Sequence, residues 1–276
     1  MSILQSIILG VIQGLTEFLP ISSSAHLVIT PYLLGWEFNN QAEFIFDVLV
    51  QLGTMLAVIT YFWHDLAGIL RAFIIGIWHR KPFAQLQARL GWLLIIASIP
   101  AALAGVLFKD MVEQAFSSPL ATALFLILTA GFLVLAEILG NRVRQLEHIT
   151  WLDALVIGIF QAVSLFPGVS RSGSTITGGM LRNLDRRSAA RFSFLMSVPV
   201  MLGAGALTTL DLFQVPNFTA QLPTLVLGFV TAAVVGYLSI RWLLGYLTRH
   251  SLFAFAIYCL VLSAVVMIVF FVRGPG

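Results

Sequence analysis

Glu17, Ser22, Ser23, Ser24 and His26 crowd into ten residues near the start of this chain, and Ser170, Arg171, Ser172 and Thr175 crowd into six residues farther on. A carboxylate, hydroxyls, an imidazole and a guanidinium are the groups of nucleophilic and phosphoryl chemistry. Gln13 precedes Glu17 by four residues, so both share one helical face. A carboxylate placed there can ligate a metal, accept a proton or simply cap a helix. The serines after Pro20 sit where a helix restarts. Their hydroxyls and the free backbone N–H groups then form an anion cradle at the positive end of the dipole, although serine is also a common N-cap. His26 lies three or four residues past Ser22 and Ser23, within reach of a serine hydroxyl, and is a candidate general acid/base. Arg171 offers a fixed guanidinium fork that suits phosphate oxygens and stays charged.

The segments that hold these clusters look like copies of each other. Residues 10–30 read GVIQGLTEFLPISSSAHLVIT and residues 158–178 read GIFQAVSLFPGVSRSGSTITG. At a constant offset of 148, Gly10 meets Gly158, Gln13 meets Gln161, Phe18 meets Phe166, Ser22 meets Ser170 and Ser24 meets Ser172. The chain as a whole is 59% hydrophobic and only 10% charged, with a mean hydropathy of +0.98. A soluble domain carries about a quarter charged residues. Hydrocarbon gives polar groups no partners, so the two clusters must face each other, water or a ligand.

Six stretches are long enough to cross a bilayer, which takes about 20 apolar residues: 46–63, 91–108, 120–139, 192–212, 222–243 and 252–272. Residues 66–78 are too short, carry Arg71 and belong at the interface. Each polar segment has two half-length apolar arms around a proline, Pro20 or Pro167, and reads as a re-entrant hairpin. Basic residues fall after 46–63 (Arg71, Arg80, Lys81, Arg89), around Arg142 and Arg144, from Arg182 to Arg191, and at Arg241 and Arg249. The opposite loops hold Glu37 and Glu43, then Lys109, Asp110 and Glu113, then Asp211. The basic set is therefore cytoplasmic, and the hairpins enter from opposite sides.

The expected fold is all-α: a single membrane domain over 1–276, with six spans and two re-entrant hairpins. It forms an inverted-topology repeat with halves of about 1–140 and 150–276. Four further pairs 146 apart (Phe46/Phe192, Leu49/Leu195, Leu56/Leu202, Asp65/Asp211) support the repeat. The net charge of +3 reads as loop charge setting topology, since no basic stretch is interleaved with exposed aromatics, and nucleic acid is excluded as a partner. The lone Cys259 can form no intrachain disulfide. Residues 1–10 lack the basic start of a cleavable signal. His64, His79, His148, His250 and the Arg182–Arg191 cluster read as ordinary interfacial residues.

Gln13-Gly-Leu-Thr-Glu17 fits a Glu/Gln-x-x-x-Glu motif, and the run from Pro167 to Thr175 fits P-G-x-S-R-S-x-x-T. With Ser22, Ser23 and His26 between them, the chain resembles the bacterial undecaprenyl-pyrophosphate phosphatases linked to bacitracin resistance, over nearly its whole length. The resemblance implies hydrolysis of undecaprenyl pyrophosphate to the monophosphate and inorganic phosphate, with Mg²⁺ or Ca²⁺. It implies a multi-pass protein of the bacterial inner membrane; with the basic loops cytoplasmic, the first hairpin enters from the outer side and the site is expected to open there. Ser23 would be the nucleophile, His26 its acid/base partner, and Arg171, Ser170, Ser172 and Thr175 the pyrophosphate ligands. Glu17, helped by Gln13, would hold the metal or orient His26. The lipid substrate and the bilayer are the expected partners, and a homodimer is compatible with the sequence. A secondary transporter or a flippase for a polyprenyl phosphate lipid is the alternative, because broken helices in inverted repeats are also a transporter feature. Lipid phosphatases with a P-S-G-H block are excluded, since the only histidine after Arg171 is His250.

Overall fold

A computed structural model describes residues 1–38, 40–116, 118–212 and 218–273. Among them the chain forms α1 (Ile3–Thr16), α2 (Ser23–Leu34), α3 (Asn40–Tyr61), α4 (Trp63–Trp78), α5 (Leu86–Leu107), α6 (Lys109–Phe116) and α7 (Pro119–Leu139). A 3-10 turn at Leu146–His148 leads to α8 (Trp151–Val163), α9 (Arg171–Leu181), α10 (Arg186–Leu212), α11 (Phe218–Tyr246) and α12 (Phe253–Arg273). No strand occurs among the described residues; an isolated bridge joins Arg144 to Leu184.

Four helices are long and apolar enough to cross a membrane: Leu86–Leu107, Pro119–Leu139, Leu222–Tyr246 and Phe253–Arg273. They cover the expected spans at 91–108, 120–139, 222–243 and 252–272. The expected 46–63 span breaks at its end, where the chain turns by 78° into α4; counted as one broken span, this pair makes a fifth. The 192–212 run lies within the 27 residues of α10. Several expected loop positions prove helical: 43 lies in α3, 109–113 in α6 and 211 in α10. The side chains of Glu43, Glu113 and Asp211 lie outside the described residues.

The polar segments are helix–break–helix units with short arms. At about 1.5 Å per residue, the 14 residues of α1, 12 of α2, 13 of α8 and 11 of α9 each fall short of a hydrocarbon core about 30 Å thick. Both units open with a capping box. Ser2 Oγ accepts from the Gln5 N–H while Ser2 N donates to Gln5 Oε1, and Thr150 and Asp153 do the same. Each box satisfies amides that a helix N-terminus leaves free. The first arms then pack on long helices, α1 along α11 and α8 along α5. Glycine allows this close approach: a Cβ on Gly10 would stand 2.8 Å from the Gly228 carbonyl oxygen, and one on Gly158 2.5 Å from that of Ala97. Such backbone contact replaces the hydrophobic drive that lipid does not supply.

The basic residues around 142–186 do more than mark a loop. Asp153 is fully buried and takes Arg144 and Arg182, each at 2.7 Å. Burial alone would raise its carboxyl, but hydrogen bonds from Arg144, Arg182 and Thr150 hold it down at about 2. Glu137 takes Arg142 at 2.7 Å, Arg186 Nε at 2.7 Å and the Leu252 amide at 2.8 Å. Arg182 and Arg186 are thus paired to buried acids, not the plain interfacial charges expected. The acids were invisible because nothing in local spacing links Glu137 to residue 186 or 252.

Candidate active site

The two breaks meet. Arg171 Nη2 donates to Glu17 Oε1 at 2.9 Å, across 154 residues of sequence. Ser23 Oγ donates to Glu17 Oε2 at 2.6 Å, and Gln13 Nε2 donates to the same oxygen at 2.9 Å. Glu17 is 7% exposed, and Arg171 and two further hydrogen-bond donors balance its charge. A buried pair of this kind is weak evidence for stability, because its desolvation offsets the attraction. It is better evidence of a site that holds charge ready.

Local chain geometry sets this arrangement. Pro20 stops α1 from continuing, and Ser22 caps α2 by accepting from the Ala25 N–H. Ser22 does so at φ 71°, a strained value for a residue with a side chain. Ser170 caps α9 by accepting from the Gly173 N–H at 3.1 Å, with an ordinary φ of −66°. Its break places the positive φ on Gly168, at 99°, where a Cβ would lie 2.3 Å from the Thr122 carbonyl oxygen. Thr129 of α7 pins this second break, donating to the Gly168 carbonyl and accepting from the Ser170 amide. The N-termini of α2 and α9 therefore border one place, and the positive end of a helix dipole favours an anion there.

A cavity of about 240 Å³ lies there, lined by Glu17, Ser22–Ser24, Ser164, Ser170, Arg171 and Gln161, with Ala101 of α5 and Met201 of α10 as apolar wall. Of the residues singled out by sequence, Glu17, Ser22, Ser23, Ser24, Ser170 and Arg171 line this cavity. Ser172 and Thr175 do not. Ser172 Oγ donates to the Leu19 carbonyl at 3.1 Å and so ties one break to the other. Thr175 bonds back to the Arg171 carbonyl and pairs with Ser193 of α10 at 2.6 Å.

His26 also departs from expectation. Its Nδ1 lies 2.7 Å from the Ser22 carbonyl, which can only accept, so Nδ1 carries the proton. Its Nε2 lies 2.7 Å from the Tyr258 hydroxyl of α12, and the two rings stack. Neither nitrogen is on a serine hydroxyl; the group on Ser23 is Glu17. The i, i+4 spacing is satisfied by the Ser22 backbone, and Tyr258, 232 residues away, was not legible.

A second cavity of about 160 Å³ adjoins Gln13, Glu17 and Ser23, and is lined from α3 by Asp47 and Gln51. Gln13 Oε1 is buried without a partner among the described residues. No group of three or more His, Cys, Asp or Glu side chains placed to hold a metal ion together occurs among the described residues. The donors here are two carboxylates, two amides and a hydroxyl, an all-oxygen set that fits a hard divalent cation and not a soft one.

Residues 6–265 match the family described as "Bacitracin resistance protein BacA". The chain is 45% identical over 273 residues to the undecaprenyl-diphosphatase of Moorella thermoacetica, covering 99% of this chain and 100% of that one. It is 43% identical to that of Chloroherpeton thalassium, covering 95% of each. It is 42% identical to that of Caldicellulosiruptor bescii, covering 99% of this chain and 100% of the relative.

Proposed function

The chain belongs to the bacitracin resistance protein BacA family, and on that premise we propose that it hydrolyses undecaprenyl pyrophosphate to undecaprenyl phosphate and inorganic phosphate. That reaction returns the carrier lipid to peptidoglycan synthesis and underlies bacitracin resistance. The observation that carries the reading is Glu17, held at hydrogen-bond distance by Ser23 of its own segment and by Arg171 of the other.

In this reading the distal phosphate enters the cavity and takes Arg171, whose fork matches two phosphate oxygens. Glu17, relieved of its ion pair, accepts the Ser23 proton. Ser23 Oγ bonds to the distal phosphorus as the bridging P–O bond breaks, and the lipid monophosphate leaves. Water then attacks the phosphoserine, releases inorganic phosphate and restores Ser23. The N-termini of α2 and α9 stabilise the transferring charge, where most of the catalytic effect should lie. His26 positions this machinery through the Ser22 carbonyl. Glu17 and Gln13, with Asp47 and Gln51 lining the same cavity, would hold Mg²⁺ or Ca²⁺; bound there, the cation would neutralise pyrophosphate charge.

The short arms of α1–α2 and α8–α9 support two re-entrant hairpins entering from opposite sides of an inverted repeat, within six spans in all. The site then opens to the outer leaflet of the inner membrane. The transporter or flippase alternative is not favoured by relatives named for hydrolysis.

Purified protein should release phosphate from a long-chain prenyl pyrophosphate and stop when a chelator removes divalent cations. Absence of release sinks the hydrolase reading, whereas release that ignores the chelator sinks only the cation. For the leaflet, single cysteines replacing Glu37 and Glu147, both exposed, are placed in a Cys259→Ser background. An impermeant thiol reagent on intact cells should label 37 and spare 147. The reverse pattern inverts the topology.

A further inference from the structure

Gln161 sits in α8 at the cavity wall, only 2% exposed. Both its Nε2 and its Oε1 are buried without a hydrogen-bond partner among the described residues. Arg171 Nη1, lining the same cavity, is likewise buried without one. Buried polar groups in folded proteins are almost always satisfied, and an amide open at both ends calls for an explanation.

The corresponding residue in the first segment supplies it. Gln13, 148 positions earlier, spends its Nε2 on Glu17 four residues on. Four residues after Gln161 the chain has Leu165, which offers no acceptor. The carboxylate that occupies one glutamine is absent beside the other, and Gln161 is left facing a cavity that also holds a free guanidinium nitrogen.

We propose that Gln161 is a pyrophosphate-binding residue. Its Nε2 donates to a phosphate oxygen beside those taken by Arg171, and its Oε1 accepts from a water held by the ligand. The inference rests on the phosphatase reading for its substrate, but the binding of pyrophosphate itself can be measured apart from turnover.

Two variants test it. Gln161→Met keeps length and volume and removes both polar ends; Gln161→Glu keeps the shape and adds a charge that repels phosphate. Unliganded Gln161→Met should melt no lower than wild type, because it buries no unpaired amide. Inorganic pyrophosphate should raise the melting temperature of wild type and raise that of either variant much less. With polyprenyl pyrophosphate, kcat/KM should fall about ten- to a hundredfold in the Met variant and further in the Glu variant. Wild-type pyrophosphate shifts in both variants, or a Met variant that melts early yet turns over normally, would overturn the proposal and make Gln161 structural. If wild type binds pyrophosphate through Gln161 but hydrolyses no prenyl pyrophosphate, the assignment of Gln161 stands and the phosphatase reading fails.

Discussion

Both helix–break–helix segments start on a capping box, Ser2 with Gln5 and Thr150 with Asp153, and both restart on a serine cap, Ser22 and Ser170. Each pair lies 148 residues apart. Even the hydroxyl pairs match: Ser22 with Ser24 at 3.2 Å, Ser170 with Ser172 at 3.1 Å. The chemistry sits where the match fails. Glu17 corresponds to Leu165, Ser23 to Arg171 and His26 to Ser174. A shared pattern thus builds two anion cradles that face each other, while a few unlike positions give one an acid and a hydroxyl and the other a guanidinium. Two identical segments could not do this, because two buried carboxylates or two arginines at one place would repel. The ends differ too: Gln5 is only partly buried, whereas its counterpart Asp153 is fully buried between two arginines.

The sharpest way to break the comparison is at Ser23 and Arg171, equivalent positions with unlike tasks. Ser23→Ala should lower turnover by on the order of 10⁴-fold or more, as removal of a nucleophile does. Arg171→Lys keeps the charge and loses the fork, and should cost about 10²–10³-fold. Phosphate-release kinetics on both variants decide it. A Ser23→Ala enzyme milder than Arg171→Lys would show that the hydroxyl only binds.

The capping boxes give a smaller contrast, in stability. Asp153→Asn strands two arginines, each about a third exposed, and should cost about 3 kcal/mol, the lower end for breaking a buried pair. Gln5→Ala should cost about 0.5–1 kcal/mol, as a surface cap does. Thermal unfolding in detergent measures both, and equal losses would mean that the Asp153 ion pairs contribute no more than a cap. The Asp153 effect has a pH signature. Its carboxyl falls to about 2 on folding, from about 3.9 in an unfolded chain. The stabilisation is therefore complete above the unfolded value and lost as pH falls toward 2. Asn at 153 should erase that acid-side slope.

The convergence of the two breaks was legible, because polar groups at membrane depth have few places to go. The capping box at Thr150 is legible in the same way, as a T-x-x-D before an apolar run. The facing of individual side chains was not. Ser170 and Ser172 share one short motif, yet one lines the cavity and the other bonds the Leu19 carbonyl. Sequence spacing allowed His26 a serine hydroxyl, and packing against α12 gave it Tyr258. Asp47 and Gln51, four apart on α3, lay inside an expected span without any mark of a site. Gln161 was visible only as the counterpart of Gln13; Leu165 in place of an acid was the signal that set it apart.

Read alone, the sequence settled where most of the long apolar helices run, where the two polar segments break, and that those breaks are interior. Long apolar runs, prolines, serine caps and the absence of partners in hydrocarbon settle those points locally. Which groups meet was decided only by the tertiary structure. A side chain turns by about 100° with each residue along a helix, so the contact between Glu17 and Arg171 depends on how α1, α2 and α9 are rotated and seated against α5, α7, α10, α11 and α12. Those rotations are fixed by packing between helices far apart in sequence, such as Gly158 against Ala97 and Thr129 against the second break, and no local pattern encodes them.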